Sequence, residues 1–178
     1  MTTTTSNQIS KPVLKKGSTG ETVKELQKLL LDYGMYLYLY SDGACGLPAG
    51  AEVIDGVFGQ ITEDAVKLFQ GKMFLVQDGI VGNKTWRSLY KGAPVDMPVL
   101  KKGCTGELVK QMQDRLFTGG YYGVELTMNN HAITVDGIFG SQTELAVKNL
   151  QKDSCLSVDG IVGDRTWFEI SKIQTIFC

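Results

Sequence analysis

Asp55-Gly56-Val57-Phe58-Gly59, followed by Thr62, is one of four copies of a single phrase. The others are Asp78-Gly79-Ile80-Val81-Gly82 with Thr85, Asp136-Gly137-Ile138-Phe139-Gly140 with Thr143, and Asp159-Gly160-Ile161-Val162-Gly163 with Thr166. Asp-Gly turns a chain because Gly accepts positive φ and the Asp side chain bonds backbone N–H groups just ahead of it. The second Gly stands where a helix N-cap belongs, and the Thr falls in the first turn of the helix that follows. The phrase therefore reads as a device that turns the chain and starts a helix, with its two central apolar residues held against the core. Calcium loops would need further carboxylates at alternate positions and a closing Glu, which the copies lack. Asp55, Asp78, Asp136 and Asp159 are accordingly expected to be structural turn residues.

A longer repeat contains these phrases. Pro12 to Gly20 (PVLKKGSTG) recurs as Pro98 to Gly106 (PVLKKGCTG), 86 residues on, whereas Asp55 and Asp136, Asp78 and Asp159, and Trp86 and Trp167 are each 81 apart. The first copy thus carries five extra residues between its first helix and its first Asp-Gly turn. The organisation expected is a disordered tail over 1–10, one repeat over 11–91, a linker over 92–96 and a second repeat over 97–178. Repeats of this kind decide the fold before single elements do.

Within each repeat three helices are predicted. Val23, Leu26, Leu29 and Leu30 have helical spacing behind a Thr19 cap, and Val109, Met112 and Leu116 match them behind Thr105, with Arg115 in the place of Leu29. Ala65, Val66 and Phe69 pair with Ala146, Val147 and Leu150 in the second helix, and Trp86 and Leu89 with Trp167 and Ile170 in the third. Between the first and second helices the alternation Tyr36-Leu37-Tyr38-Leu39-Tyr40 predicts the arm of a β-hairpin, returning over Ala51 to Ile54. Tyr121 to Met128 and His131 to Val135, around Asn129-Asn130, predict its counterpart. The fold class expected is mainly α: two tandem three-helix modules, each with an inserted β-hairpin.

Composition narrows function by exclusion. In 178 residues, 43% hydrophobic and 21% charged content is that of an ordinary globular chain. A net charge of −1 without a Lys/Arg block argues against nucleic acid, and a helix-turn-helix reading fails on the same ground. The longest greasy run, Leu29 to Leu31, cannot span a membrane. Met1 to Ser10 lacks the charged start and apolar middle of a secretory signal. Cys45, Cys104, Cys155 and Cys178 lie in no metal-ligand spacing, and His131 alone cannot assemble a zinc centre. No metal, cofactor or catalytic residue is expected, and whether the four thiols are free or paired stays open.

The ordered elements LKKGSTGETVKELQKLL, DGVFGQITEDAVKLFQ and DGIVGNKTWRSL resemble the type 1 peptidoglycan-binding domain, a three-helix module of bacterial cell-wall hydrolases. The resemblance runs from Pro12 to Leu89 and again from Pro98 to Ile170. It implies non-catalytic attachment to bacterial peptidoglycan in the cell envelope or outside the cell, with a wall hydrolase or another protein as a further partner. Two alternatives from other classes are a protein-interaction module built on the wall-binding fold and an accessory of phage-type wall lysis. The ligand-binding residues expected are Tyr36, Tyr38, Tyr40, Tyr121 and Tyr122, because tyrosine offers a flat apolar face with a hydroxyl and orders cheaply. The same tyrosines could instead cover the helices beneath them. Trp86 and Trp167 lie on apolar helix stripes and are expected in the core. Lys15, Lys16, Lys101 and Lys102 precede the first helix of each repeat and are either solvated charge or partners for a ligand carboxylate.

Overall fold

Apolar residues at helical spacing form helices in every place the repeat predicts them. The computed structural model describes residues 9–39, 53–123 and 135–173. The chain divides into two compact units, Met1–Val95 and Asp96–Cys178. The first contains α1 (Glu21–Asp32), α2 (Met35–Leu39), α3 (Gln60–Lys72) and α4 (Asn83–Lys91). The second contains α5 (Glu107–Thr118), α6 (Ser141–Asp153) and α7 (Asp164–Lys172). Among the described residues there is no sheet, only four isolated antiparallel bridges.

Each unit is built around its largest side chains. Phe58, Phe69, Leu26, Leu30 and Trp86 are 0–1% exposed in the first, as are Phe139, Leu150, Met112, Leu116 and Trp167 in the second. The two indoles are interior and satisfied: Trp86 Nε1 donates to the Pro12 carbonyl at 2.9 Å, and Trp167 Nε1 to that of Pro98 at 2.8 Å. A buried indole needs such an acceptor, so each Trp also fixes the segment leading into its unit. That segment is a strap across both Asp-Gly loops. Leu14 pairs with Val81 and Thr19 with Val57, just as Leu100 pairs with Val162 and Thr105 with Ile138.

Four expectations are corrected. Met35–Leu39 is a helix, not a strand, with Met35 and Tyr36 both buried and Leu37 57% exposed. Consecutive buried residues break the period of two that a half-buried strand requires, and a single helical turn can bury both. The expected arms over 40–52 and 124–134 lie outside the described residues. In the second repeat Tyr121 and Tyr122 form a turn. The N-caps of α1 and α5 are Gly20 (φ 113°) and Gly106 (φ 126°), not Thr19 and Thr105, because those threonines are engaged in the bridges of the strap. Only the second central residue of each phrase is interior: Phe58, Val81, Phe139 and Val162 are 0–1% exposed, whereas Val57, Ile80, Ile138 and Ile161 are 39–53% exposed. Neighbouring residues in extended backbone point oppositely, so both could not face the core.

Candidate functional site

The Asp-Gly turns are held from inside by a residue type the repeat had not marked. Gln27 of α1 is 1% exposed; its Nε2 reaches Asp55 Oδ1 at 2.8 Å, the Val57 carbonyl at 3.1 Å and Thr62 Oγ1 at 3.2 Å. Its Oε1 accepts the Gly56 N–H at 2.9 Å. Asp55 Oδ1 accepts the Val57 N–H as well, at 2.8 Å. An ionised carboxylate only accepts, so the amide nitrogen must be the atom facing it, and the carboxamide orientation is determined. Gln70 repeats the pattern with Asp78, Gly79, Ile80 and Thr85, Gln113 with Asp136, Gly137, Ile138 and Thr143, and Gln151 with Asp159, Gly160, Ile161 and Thr166. Each unit therefore holds two copies of one joint, the first between its first and second long helices and the second between its second and third.

The joint tunes its carboxylates. Asp55 is held below the ordinary carboxylate range by the Gln27 amide and the Val57 N–H, and Asp159 by the Ile161 N–H and the Gln151 amide. For Asp136 burial pushes the other way, but the Ile138 N–H and the Gln113 amide together outweigh it. These aspartates stay ionised acceptors whose bonding oxygen is spent within the turn, which makes them scaffold.

Two kinds of surface border the joints. In the first unit a cleft of about 410 Å³ is lined by Tyr36, Val53, Val57, Gln60 and Ile61 together with the Gln27 joint. Beside the second joint, Lys67 Nζ lies 2.9 Å from Glu63 Oε1, and Lys16 Nζ lies 3.5 Å from Glu63 Oε2. The second unit repeats this, with Lys148 at 2.7 Å and Lys102 at 3.7 Å from Glu144. Both glutamates are held below their ordinary range, first by the hydrogen bond from Lys67 or Lys148.

Two of the five tyrosines are interior. Tyr36 (3% exposed) and Tyr122 (6%) occupy matching places in the two interiors, two residues beyond Gly34 and Gly120 respectively. Tyr122 Oη lies 3.4 Å from Thr143 Oγ1, and burial pushes its phenol up to about 12. Tyr121 is partly exposed and its carbonyl accepts from Asn149 Nδ2 at 3.0 Å. The Tyr38 side chain, all of Tyr40, His131, Cys45 and Cys178 lie outside the described residues. Cys104 and Cys155 carry free thiols. Among the described residues no group of His, Cys, Asp and Glu is placed to hold a metal, and no helix is long and apolar enough to cross a membrane.

The model of a putative peptidoglycan binding domain matches residues 19–89 and again 105–168. The chain belongs to the peptidoglycan-binding domain family. Its two peptidoglycan-binding units are similar to parts of larger proteins. The N-acetylmuramoyl-L-alanine amidase CwlL of Bacillus licheniformis is 35% identical over 85% of this chain and 50% of its own length. A spore cortex-lytic enzyme of Bacillus cereus is 35% identical over 54% of this chain and 32% of its own. The chain spans half or less of the length of these curated relatives. Among solved structures, the SleB N-terminal domain is 35% identical, covering 42% of this chain and 90% of that one, with a TM-score of 0.36. The Burkholderia AP3 phage endolysin is 30% identical over 60% of this chain and 33% of its own, at a TM-score of 0.38.

Proposed function

We propose that this chain is a non-catalytic peptidoglycan-binding protein whose two units hold the same wall polymer, at the cell envelope or outside the cell. The observation that carries the proposal is the double match: the family model covers both units, and both are built on the same pair of Gln–Asp-Gly joints. Peptidoglycan is a repeating polymer. A chain with two like sites gains affinity from it, because the second contact forms at the high effective concentration set by the first. Its relatives include an N-acetylmuramoyl-L-alanine amidase and a spore cortex-lytic enzyme, so a wall hydrolase is the partner class proposed. Of the expected tyrosines, Tyr36 and Tyr122 serve the interior, and contact with sugar rings is proposed for Tyr38, Tyr40 and Tyr121.

Co-sedimentation with purified sacculi tests this. The protein is expected in the pellet at low and moderate salt, and the turbidity of the suspension is expected to stay constant. Protein left in the supernatant refutes wall binding; clearing of the suspension refutes the non-catalytic part.

A further inference from the structure

Over most of their surface the two units have diverged. The first long helices carry Lys28 against Asp114 and the second Lys72 against Asp153; Asp64 gives way to Leu145, Arg87 to Phe168 and Tyr90 to Ser171. Val13, Glu21 and Lys24 are kept as Val99, Glu107 and Lys110, and a larger group of kept residues gathers beside the second joint. Lys15, Lys16, Glu63, Lys67 and Ile80 of the first unit are Lys101, Lys102, Glu144, Lys148 and Ile161 of the second. The side chains of Lys16 and Lys102 are 56% and 59% exposed, those of Lys67 and Lys148 37%, and Ile80 and Ile161 are each 39% exposed.

Glu63 and Lys67 lie against the Gly79 turn, as Glu144 and Lys148 do against Gly160, so packing accounts for part of their retention. Lys15, Lys16, Lys101 and Lys102 are exposed, where substitutions change stability little, and they are kept as well. The Leu14–Val81 bridge sets Lys15 opposite Ile80 in register, and the Leu100–Val162 bridge does the same for Lys101 and Ile161. In the second unit three ammonium groups outnumber the carboxylates around them, Glu144 and the turn's Asp159; in the first, Asp64 beside Lys67 joins Glu63 and Asp78 and evens the count. What the two faces share is the pair of lysines that meet at one glutamate, with a third lysine beside them on the strap. Glu63 is held between Lys67 and Lys16, an arrangement that presents both ammonium groups toward one place; Lys16 also donates to Gln60 Oε1, and each ammonium keeps an N–H donor to spare.

Resting on the peptidoglycan reading above, we propose that this face of each unit docks a peptide stem of the wall. A free stem carboxylate is received by Lys16 and Lys67 in the first unit and by Lys102 and Lys148 in the second. The methyl and methylene groups of the stem lie over Ile80 or Ile161. An anionic, partly apolar ligand matches paired lysines beside an exposed isoleucine, and a repeating polymer matches two copies of the arrangement.

Sacculi with intact stems and sacculi whose stems have been removed by amidase digestion separate this proposal from the broader one. The wild-type chain is expected to bind intact sacculi at least about tenfold more tightly than stripped glycan. The Lys16→Gln/Lys102→Gln variant is expected to lose about tenfold on intact sacculi, with an unchanged thermal midpoint. A Lys28→Gln/Lys84→Gln control of equal net charge is expected to stay within about twofold of wild type; both control lysines are exposed, and neither is a lysine in the second unit, where Asp114 and Arg165 stand. Equal binding to stripped and intact material, or an unaffected Lys16→Gln/Lys102→Gln variant, overturns the stem-docking face and leaves wall binding standing. Wild-type protein that binds neither material overturns both.

Discussion

Replacing Gln113 by Leu tests the central structural claim, that a buried glutamine and not the aspartate is the core of each joint. Gln113 is 1% exposed and makes four hydrogen bonds: Nε2 to Asp136 Oδ1 at 2.9 Å, to the Ile138 carbonyl at 3.0 Å and to Thr143 Oγ1 at 3.0 Å, with Oε1 accepting the Gly137 N–H at 2.7 Å. Leu fills nearly the same volume but bonds to none of these. Asp136 is exposed and can turn to water, so its loss is small. The Gly137 N–H is interior and loses its acceptor, and a buried polar group deprived of its partner costs about 1–3 kcal/mol. Thr143 keeps Tyr122 Oη and the Ile138 carbonyl, both at 3.4 Å, so losing the shorter bond to the amide costs about 1 kcal/mol. The two together give roughly 2–4 kcal/mol, from which the added apolar burial recovers about 1–2 kcal/mol. The net expectation is about 1–2 kcal/mol, a sizeable part of the stability of a domain of this size. With a urea slope near 1 kcal/mol/M for so small a unit, the midpoint should fall by about 1–2 M. Urea titrations read by fluorescence suit the measurement, because each unit contains one buried Trp. The variant Gln113→Glu sharpens it. A carboxylate set against Asp136 should destabilise the unit more than Leu does at neutral pH, and part of that loss should return near pH 4 as the pair takes up a proton. A Gln113→Leu midpoint within error of wild type would refute the assignment.

Two further outcomes follow from the same geometry. The folded-state carboxyls of Asp55, Asp136, Asp159, Glu63 and Glu144 all lie below their unfolded values, so they contribute stability that is complete above about pH 4–4.5 and is lost as pH falls through the lower folded values. Thermal midpoints followed by circular dichroism should be level from pH 7 to about 5 and drop below about 4; a midpoint maintained at pH 2 contradicts this. Gly160→Ala should destabilise by about 1–2 kcal/mol, since φ is +73° and a Cβ would stand 2.9 Å from Glu144 Cγ, whereas Gly163→Ala, at φ −101° with open space around it, should change stability little. Equal effects of the two in a melting experiment would show that backbone conformation is not the reason for Gly in the turn.

The parts of this fold that could be seen in the sequence are those with a fixed local spacing. The Asp-Gly phrase, the Gly that begins each helix and the Trp on each third helix recur at constant intervals, and each acts where it stands. Gln27, Gln70, Gln113 and Gln151 escaped because a polar residue on an amphipathic helix looks like solvent face. Their distance to the turn is 28 or 23 residues in the first joints and eight in the second. A signal existed: Gln70 and Gln151 both precede Asp-Gly by eight residues, each directly after a buried apolar residue. The error at Met35–Leu39 has a different origin. Five residues are too few to separate a period of two from one turn of helix, and the decision lay in packing against α1 and α3. The matching places of Tyr36 and Tyr122 were likewise present in the repeat, but tyrosine is common both inside and outside a protein, so only burial could assign them. The lysine face was half legible: both lysine pairs of the strap were visible, but their meeting with Lys67 and Lys148 depends on the strap crossing the second joint.

The unequal spans of the joints bear on how each unit assembles. In the first unit Gln70 meets Asp78 across eight residues, while Gln27 must find Asp55 across 28. The entropy of closing a flexible loop grows only as the logarithm of its length, so the longer closure costs about 1 kcal/mol more. The shorter joint is therefore the natural nucleus, and it delivers α3 and α4 as a formed hairpin onto which α1 docks last. Because that final closure is fastened at its two ends by the same four hydrogen bonds, the chain between them can change length at little energetic cost. The five-residue difference between the units is the kind of variation such an arrangement tolerates.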